Sequence, residues 1–135
     1  LMDQDSSALP ANFNPNHATG DVGNAYEFSQ CTWWAYLRRH QLGLPVGSYF
    51  GNGQDWANSA RAHGYWVDNT PRHKGDVMVF RAGQEGASSV YGHVAIVESI
   101  NADGTVTVSE CGASLNGKPA SRTLSNVNDF QYIHY

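Results

Sequence analysis

Two cysteines, six histidines and twelve acidic residues are the chemically capable side chains of this 135-residue chain. Cys31 comes first. It stands in "FSQCTWWAYLRRH", at the head of an aromatic-rich stretch with helical spacing. Free backbone N–H groups at a helix start, together with the macrodipole, favour the thiolate form of a cysteine placed there. Thiolate is the nucleophilic form. A nearby imidazole completes the activation, and a third group orients that imidazole. The chemistry implied is acyl transfer through a cysteine. Three other readings stand beside it: a small buried residue, a disulfide with Cys111, or a zinc site with Cys111, His93 and Glu110. The spacing matches no closed zinc motif, and adjacent strand positions cannot easily ligate one ion.

Among the histidines, His17 lies near the start and His134 beside the end. His40, His63 and His73 read as surface residues. His93 differs, because it follows Gly92 and opens the apolar run "GHVAIVESI". A polar ring at the mouth of a buried strand needs a partner. If "VAIVESI" and "TVTVSEC" pair with Asn101 opposite Gly104, Val97 faces Val108 and Ala95 faces Glu110. Period two then puts His93, Ala95, Val97, Val106, Val108 and Glu110 on one face, with His93 diagonal to Glu110. The apolar members of this face are expected to pack on the Cys31 helix. Cys111 would then face away from it, which weighs against a disulfide. Glu98, on the other face, reads as solvated.

The elements that must position these residues follow from pattern. Residues 1–23 are rich in Ser, Pro, Asn and Gly without periodicity and read as a tail or linker. A helix is expected from about Ser29–Cys31, with Ser29 as N-cap and Gly43 as the stop. A second helix fits "NGQDWANSARAHG". The period then changes to two, and "YWVD", "GDVMVF", "GHVAIVESI", "GTVTVSEC", "ASRTLS" and "FQYIHY" read as short strands. Helices followed by a run of strands argue an α+β fold with an antiparallel sheet.

Composition bounds the rest. The chain is 41% hydrophobic, enough for one domain with a real core. A net charge of −4 argues against nucleic acid as a partner. No apolar run approaches the ~18 residues of a membrane span. The chain begins at Leu1, so it reads as a mature form or an excised domain. It is expected to act as a monomer.

"QCTWWAY", "GDVMVF" and "GHVAIVESINADGTVTVSE", in that order, resemble the CHAP family, the cysteine, histidine-dependent amidohydrolases/peptidases of bacterial cell-wall lysis. The similarity covers about residues 24–135, the expected catalytic domain. It implies a papain-like fold, with N-terminal helices packed on a central antiparallel sheet. It implies Cys31 as nucleophile, His93 as general base and then acid, and Glu110 as the residue orienting the imidazole. The substrate class would be peptidoglycan, stem peptide and glycan, outside the cell or at the wall. The bond would be the N-acetylmuramoyl-L-alanine amide by preference, or a peptide bond of the stem or cross-bridge; a wall-binding module without activity is the rival. No cofactor is implied. Only Asp21 and Glu27 precede the Cys where some relatives carry an acidic calcium loop, so no calcium or other metal site is expected. The Cys31 N–H is the natural oxyanion donor, with Tyr26 or Gln30 as side-chain candidates, Tyr26 ranked first. Trp33, Trp34 and Trp66 are candidates for lining a substrate groove.

Overall fold

Helix α1 spans Cys31–Gln41 and sets the frame for the site. In the computed structural model, which describes residues 7–135, its N-cap is Gln30 in an extended conformation. Ser29, the expected cap, is instead left-handed (φ 72°). Its hydroxyl donates to the Gly112 carbonyl and accepts the Gly117 N–H, both at 2.8 Å. The serine is used to pin the approach to the helix onto a distant loop. At the other end Gly43 (φ 74°) stops the helix as its lack of a Cβ allows. Arg38, Arg39 and His40 fill the last turn, where cations suit the dipole.

A 3-10 turn, Gly53–Asp55, leads into α2, Trp56–Ala62. Six strands follow: β1 Val67–Asp68, β2 Val77–Phe80, β3 His93–Ile100, β4 Val106–Glu110, β5 Ala120–Leu124 and β6 Gln131–Ile133. They form one sheet in the order β1-β6-β2-β3-β4-β5, with every pair antiparallel. The chain is thus α+β with helices packed on an antiparallel sheet.

The sheet is apolar on both faces. One face, with Val77, Val79, Val94, Ile96 and Ile133, packs on Ala35 and Tyr36 of α1 and on Trp56, Ala57 and Ala60 of α2. The other, with Met78, Phe80, Ala95, Val97, Val106 and Val108, joins Leu124, Phe130 and Tyr132. This corrects one expectation. Ala95, Val97, Val106 and Val108 share a face as parity requires, but it is the face turned away from α1. The four central residues of β3, Val94 to Val97, are all completely buried, so alternation in the sequence could not say which parity met the helix.

The β3–β4 pairing has a bulge at Glu98. Near the turn Ile100 pairs with Val106 and Ser99 with Thr107; beyond the bulge Val97 pairs with Val108 and Ile96 with Ser109. The bulge therefore delivers the expected register at the site end of the hairpin. Glu98 is not a solvated residue. Its carboxylate receives Arg38 through Nε (2.9 Å) and Nη2 (2.8 Å) and the Ser109 hydroxyl (2.7 Å). Trp34 Nε1 donates to the same Ser109 (2.9 Å), which ties α1 to β4.

Of the expected tail, residues 1–6 lie outside the described residues. The rest runs along the domain: the His17 ring meets Tyr65 at 4.4 Å, and Ser48 N–H donates to Gly20 O at 2.9 Å.

Candidate active site

Cys31 is the first residue of α1, so the N–H groups of the first turn point past it. It opens into a cleft of about 860 Å³ whose walls include Gln30, Asn52, Gly53, Ser88, Tyr91, His93, Glu110 and Arg122. His93, the first residue of β3, lines the same cleft, and the Cys31 thiol is among the groups that shift its titration. Its Nε2 lies 2.7 Å from Glu110 Oε1 on β4. The ring also stands edge-on to Phe80, centroids 5.0 Å apart. Its backbone is held just as closely. A Cβ on Gly53 would fall 2.7 Å from His93 Cα and C, so only glycine lets that turn lie on the strand.

Burial disfavours a charged ring at His93. The neighbouring Cys31 thiol, the hydrogen bond to Glu110 and the charge of both outweigh it, and its pKa is pushed up to about 9. Burial likewise opposes the Glu110 carboxylate, but His93 and Arg122 hold its pKa below the usual value. Arg122 on β5 closes the row, with Nε 2.7 Å from Glu110 Oε2. The arrangement can hold a thiolate–imidazolium pair against an anchored carboxylate.

The structure thus brings together Cys31, His93 and Glu110. The other expected residues divide. Gln30 lines the cleft and makes no capping hydrogen bond, so its amide is available to a ligand. Tyr26 borders the same cleft but is a correction: its hydroxyl donates to Gly47 O (2.6 Å) and accepts the Phe50 N–H (2.9 Å). Its one proton is spent in holding the 47–50 loop, and burial raises its pKa to about 12. Trp34 and Trp66 are core residues, 8% and 2% exposed. Trp66 packs on His134 at 4.6 Å, remote from the cleft walls. Trp33 pairs edge-on with the exposed Phe28 at 4.8 Å and does not line the cleft. Both cysteines are free. Cys111 faces the approach to α1, not away from it, with Sγ 3.6 Å from Ser29 Oγ. Arg122 escaped the sequence reading. The signal that could have found it is register: on β5 it pairs with Val108, two residues from Glu110 on the same face.

Among the described residues, His73, Asp76 and His134 bring possible metal-ligand atoms within 4.8 Å of one another. They lie beyond the walls of the cleft. His134 there is already paired with Asp68 (2.7 Å) and Asp76 (2.9 Å).

The family model of the CHAP domain matches residues 21–112, which contain the helix, the histidine strand and the glutamate. The chain belongs to the CHAP family. Among its CHAP relatives, the probable autolysin LDP of Staphylococcus aureus is 39% identical over 126 residues, covering 93% of this chain and 43% of that protein. The N-acetylmuramoyl-L-alanine amidase sle1 of Staphylococcus saprophyticus is 37% identical over 114 residues, 82% of this chain and 33% of that one. A crystal structure of an N-acetylmuramoyl-L-alanine amidase from Staphylococcus aureus superposes with a TM-score of 0.75 at 35% identity, over 96% of this chain and 36% of that one. This CHAP chain therefore spans less than half the length of these relatives.

Proposed function

We propose that this domain is a peptidoglycan hydrolase that cuts an amide bond by cysteine nucleophilic catalysis, with the N-acetylmuramoyl-L-alanine amide as its bond. The observation that carries the reading is the His93 ring, bonded to Glu110 at 2.7 Å and sharing one cleft with Cys31 at the start of α1. The names of the relatives support the substrate class and the bond. On this reading the domain works at the cell wall.

In the mechanism, Cys31 Sγ attacks the amide carbonyl and the carbonyl oxygen becomes an oxyanion. The Cys31 N–H and the Gln30 amide are the proposed donors to it. Nε2 of His93 is engaged with Glu110, which leaves Nδ1 to face the reaction. His93 gives its proton to the leaving amine as the C–N bond breaks, and a thioester remains. Water then attacks the thioester, His93 takes its proton, and the released thiolate restores the pair. Glu110 holds the ring in one orientation and stabilises the imidazolium throughout.

Digestion of purified peptidoglycan by the wild type and Cys31→Ala, with mass spectrometry of the fragments, tests this. Stem peptides beginning with L-alanine are expected from the wild type and none from Cys31→Ala. New termini inside the stem or bridge would make the domain an endopeptidase. Binding without cleavage by reduced wild type would make it a wall-binding module.

A further inference from the structure

Four adjacent strands each contribute one residue to a row beside the cleft. Phe80 (β2) and His93 (β3) are direct cross-strand partners. Val97 on β3 pairs with Val108 on β4, and Val108 pairs with Arg122 on β5, so His93, Glu110 and Arg122 share one face. Glu110 sits between two cations, Oε1 on His93 Nε2 and Oε2 on Arg122 Nε, each at 2.7 Å. The Arg122 contact lacks hydrogen-bond alignment, so it acts through charge. Arg122 is itself held at two further points. Its Nη1 donates to Glu85 O at 2.7 Å, and its guanidinium carbon lies 5.1 Å over the Phe80 ring. Phe80, completely buried, thus touches both the histidine and the arginine.

We propose that Arg122 is a positioning residue for the cysteine-hydrolase reaction: it clamps the outer oxygen of Glu110, so that the inner oxygen stays aimed at His93. The proposal rests on the hydrolase reading above and adds to it a residue outside the expected triad. An ion pair on the outer oxygen opposes rotation of the carboxylate about its side-chain bonds away from the imidazole. The fixed positive charge also keeps it ionised as pH falls. The groups that face Glu110 are His93 from β3 and Arg122 from β5. The thiol of Cys31 lies beyond His93, and Cys111 is next along the chain. Glu85 meets Arg122 through its carbonyl, while its carboxylate is bonded to Asn126 (2.9 Å). Arg122 is therefore the permanent cation on Glu110.

The test uses the chain with Arg122→Gln and Arg122→Lys, a soluble disaccharide-peptide as substrate, and a pH series. Arg122→Gln is expected to lower kcat about 10- to 100-fold, as for misplaced catalytic groups, with KM little changed. Without the cation Glu110 protonates at higher pH, so the acid limb of the activity profile moves up by about one unit. Arg122→Lys keeps the charge and returns the limb toward its original position. A raised KM with unaltered kcat and pH profile would make Arg122 a substrate contact and overturn the proposal. So would a loss of thermal stability with an unaltered profile. NMR titration of the His93 ring in the Cys31→Ala background reads the clamp without turnover. There Arg122→Gln is expected to raise the pH at which Glu110 protonation perturbs the ring; no change would overturn the proposal. If Cys31→Ala still digests substrate, the hydrolase reading falls, and the NMR result still decides whether Arg122 holds Glu110.

Discussion

His93 carries its proton well past neutrality, and that fixes the sign of the pH dependence. Burial works against the imidazolium, but Cys31 and Glu110 together raise its pKa to about 9. The proposed acid for the leaving amine is present below that pH and lost above it. The alkaline limb of kcat/KM, which reports the free enzyme, is therefore expected near pH 9. Glu110→Gln removes the charge that supports the ring, so the limb should move to lower pH. The rate should also fall about 100-fold or more, the scale of acid–base catalysis. A pH–rate series on both proteins checks this, and an unmoved alkaline limb would refute it. At this scale the sequence was informative where chemistry and local pattern coincide. Cys31 stood at a helix start, His93 opened a buried strand, and strand parity reached Glu110. Arg122 was hidden because its place depends on the β4–β5 register, and "ASRTLS" has no apolar alternation to fix it. Tyr26 was misjudged because its partners, Gly47 and Phe50, lie more than twenty residues away.

The elements hold these residues by close backbone approach as much as by side chains. The 3-10 turn at Gly53 lies directly on the backbone of His93. An added methyl would meet Cα and C at 2.7 Å and N at 2.8 Å. Backbone atoms of a paired strand cannot move aside as a flexible side chain can. Gly53→Ala is therefore expected to destabilise by about 1–3 kcal/mol, the cost of overpacking. Its loss of kcat should exceed what the small population of unfolded chain explains, because the shift is delivered to His93. Urea unfolding together with kcat on the folded fraction separates the two effects. Wild-type kcat would show that the turn does not position the histidine. Helix and strand order were legible from spacing and from Gly43 and the turn residues. Neither the Ser29 tie to Gly112 and Gly117 nor the bulge at Glu98 was legible. Ser29 bonds a loop more than eighty residues on. The bulge goes with a carboxylate that must meet Arg38 on a helix whose placement the hairpin sequence does not encode.

Across the whole molecule, the catalytic end of α1 is balanced by a buried polar cluster at its other end. Arg39, completely buried near the last turn, donates to the carbonyls of Pro45, Gly75 and His134. Asp76, also completely buried, accepts the backbone N–H groups of Arg72 and His73 at 2.8 Å each and lies 2.9 Å from His134 Nδ1. These contacts tie the end of α1, the chain entering β2 and the chain leaving β6. Sequence pattern offered no warning: His134 read as terminal, because a buried ion cluster has no periodicity. Burial alone would raise the Asp76 pKa. Contacts with His134 and His73 reverse this and bring it down to about 2. The unfolded group titrates near the ordinary aspartate value of 3.8. A depressed carboxylate stabilises the fold above its unfolded pKa and loses that contribution as pH falls through its folded one. The difference corresponds to about 2 kcal/mol, present above pH ~4 and gone below pH ~2. Other carboxylates add to the acid sensitivity of the wild type, so the decisive quantity is a difference. Urea unfolding of wild type and Asp76→Asn from pH 5 to pH 2 is expected to show the variant less stable by about 3–5 kcal/mol at pH 5, since Arg39 loses its counter-charge. The gap should narrow by about 2 kcal/mol toward pH 2. Parallel curves would mean that the Asp76 proton equilibrium is not coupled to folding, and that the cluster holds the two ends of the chain by hydrogen bonds alone.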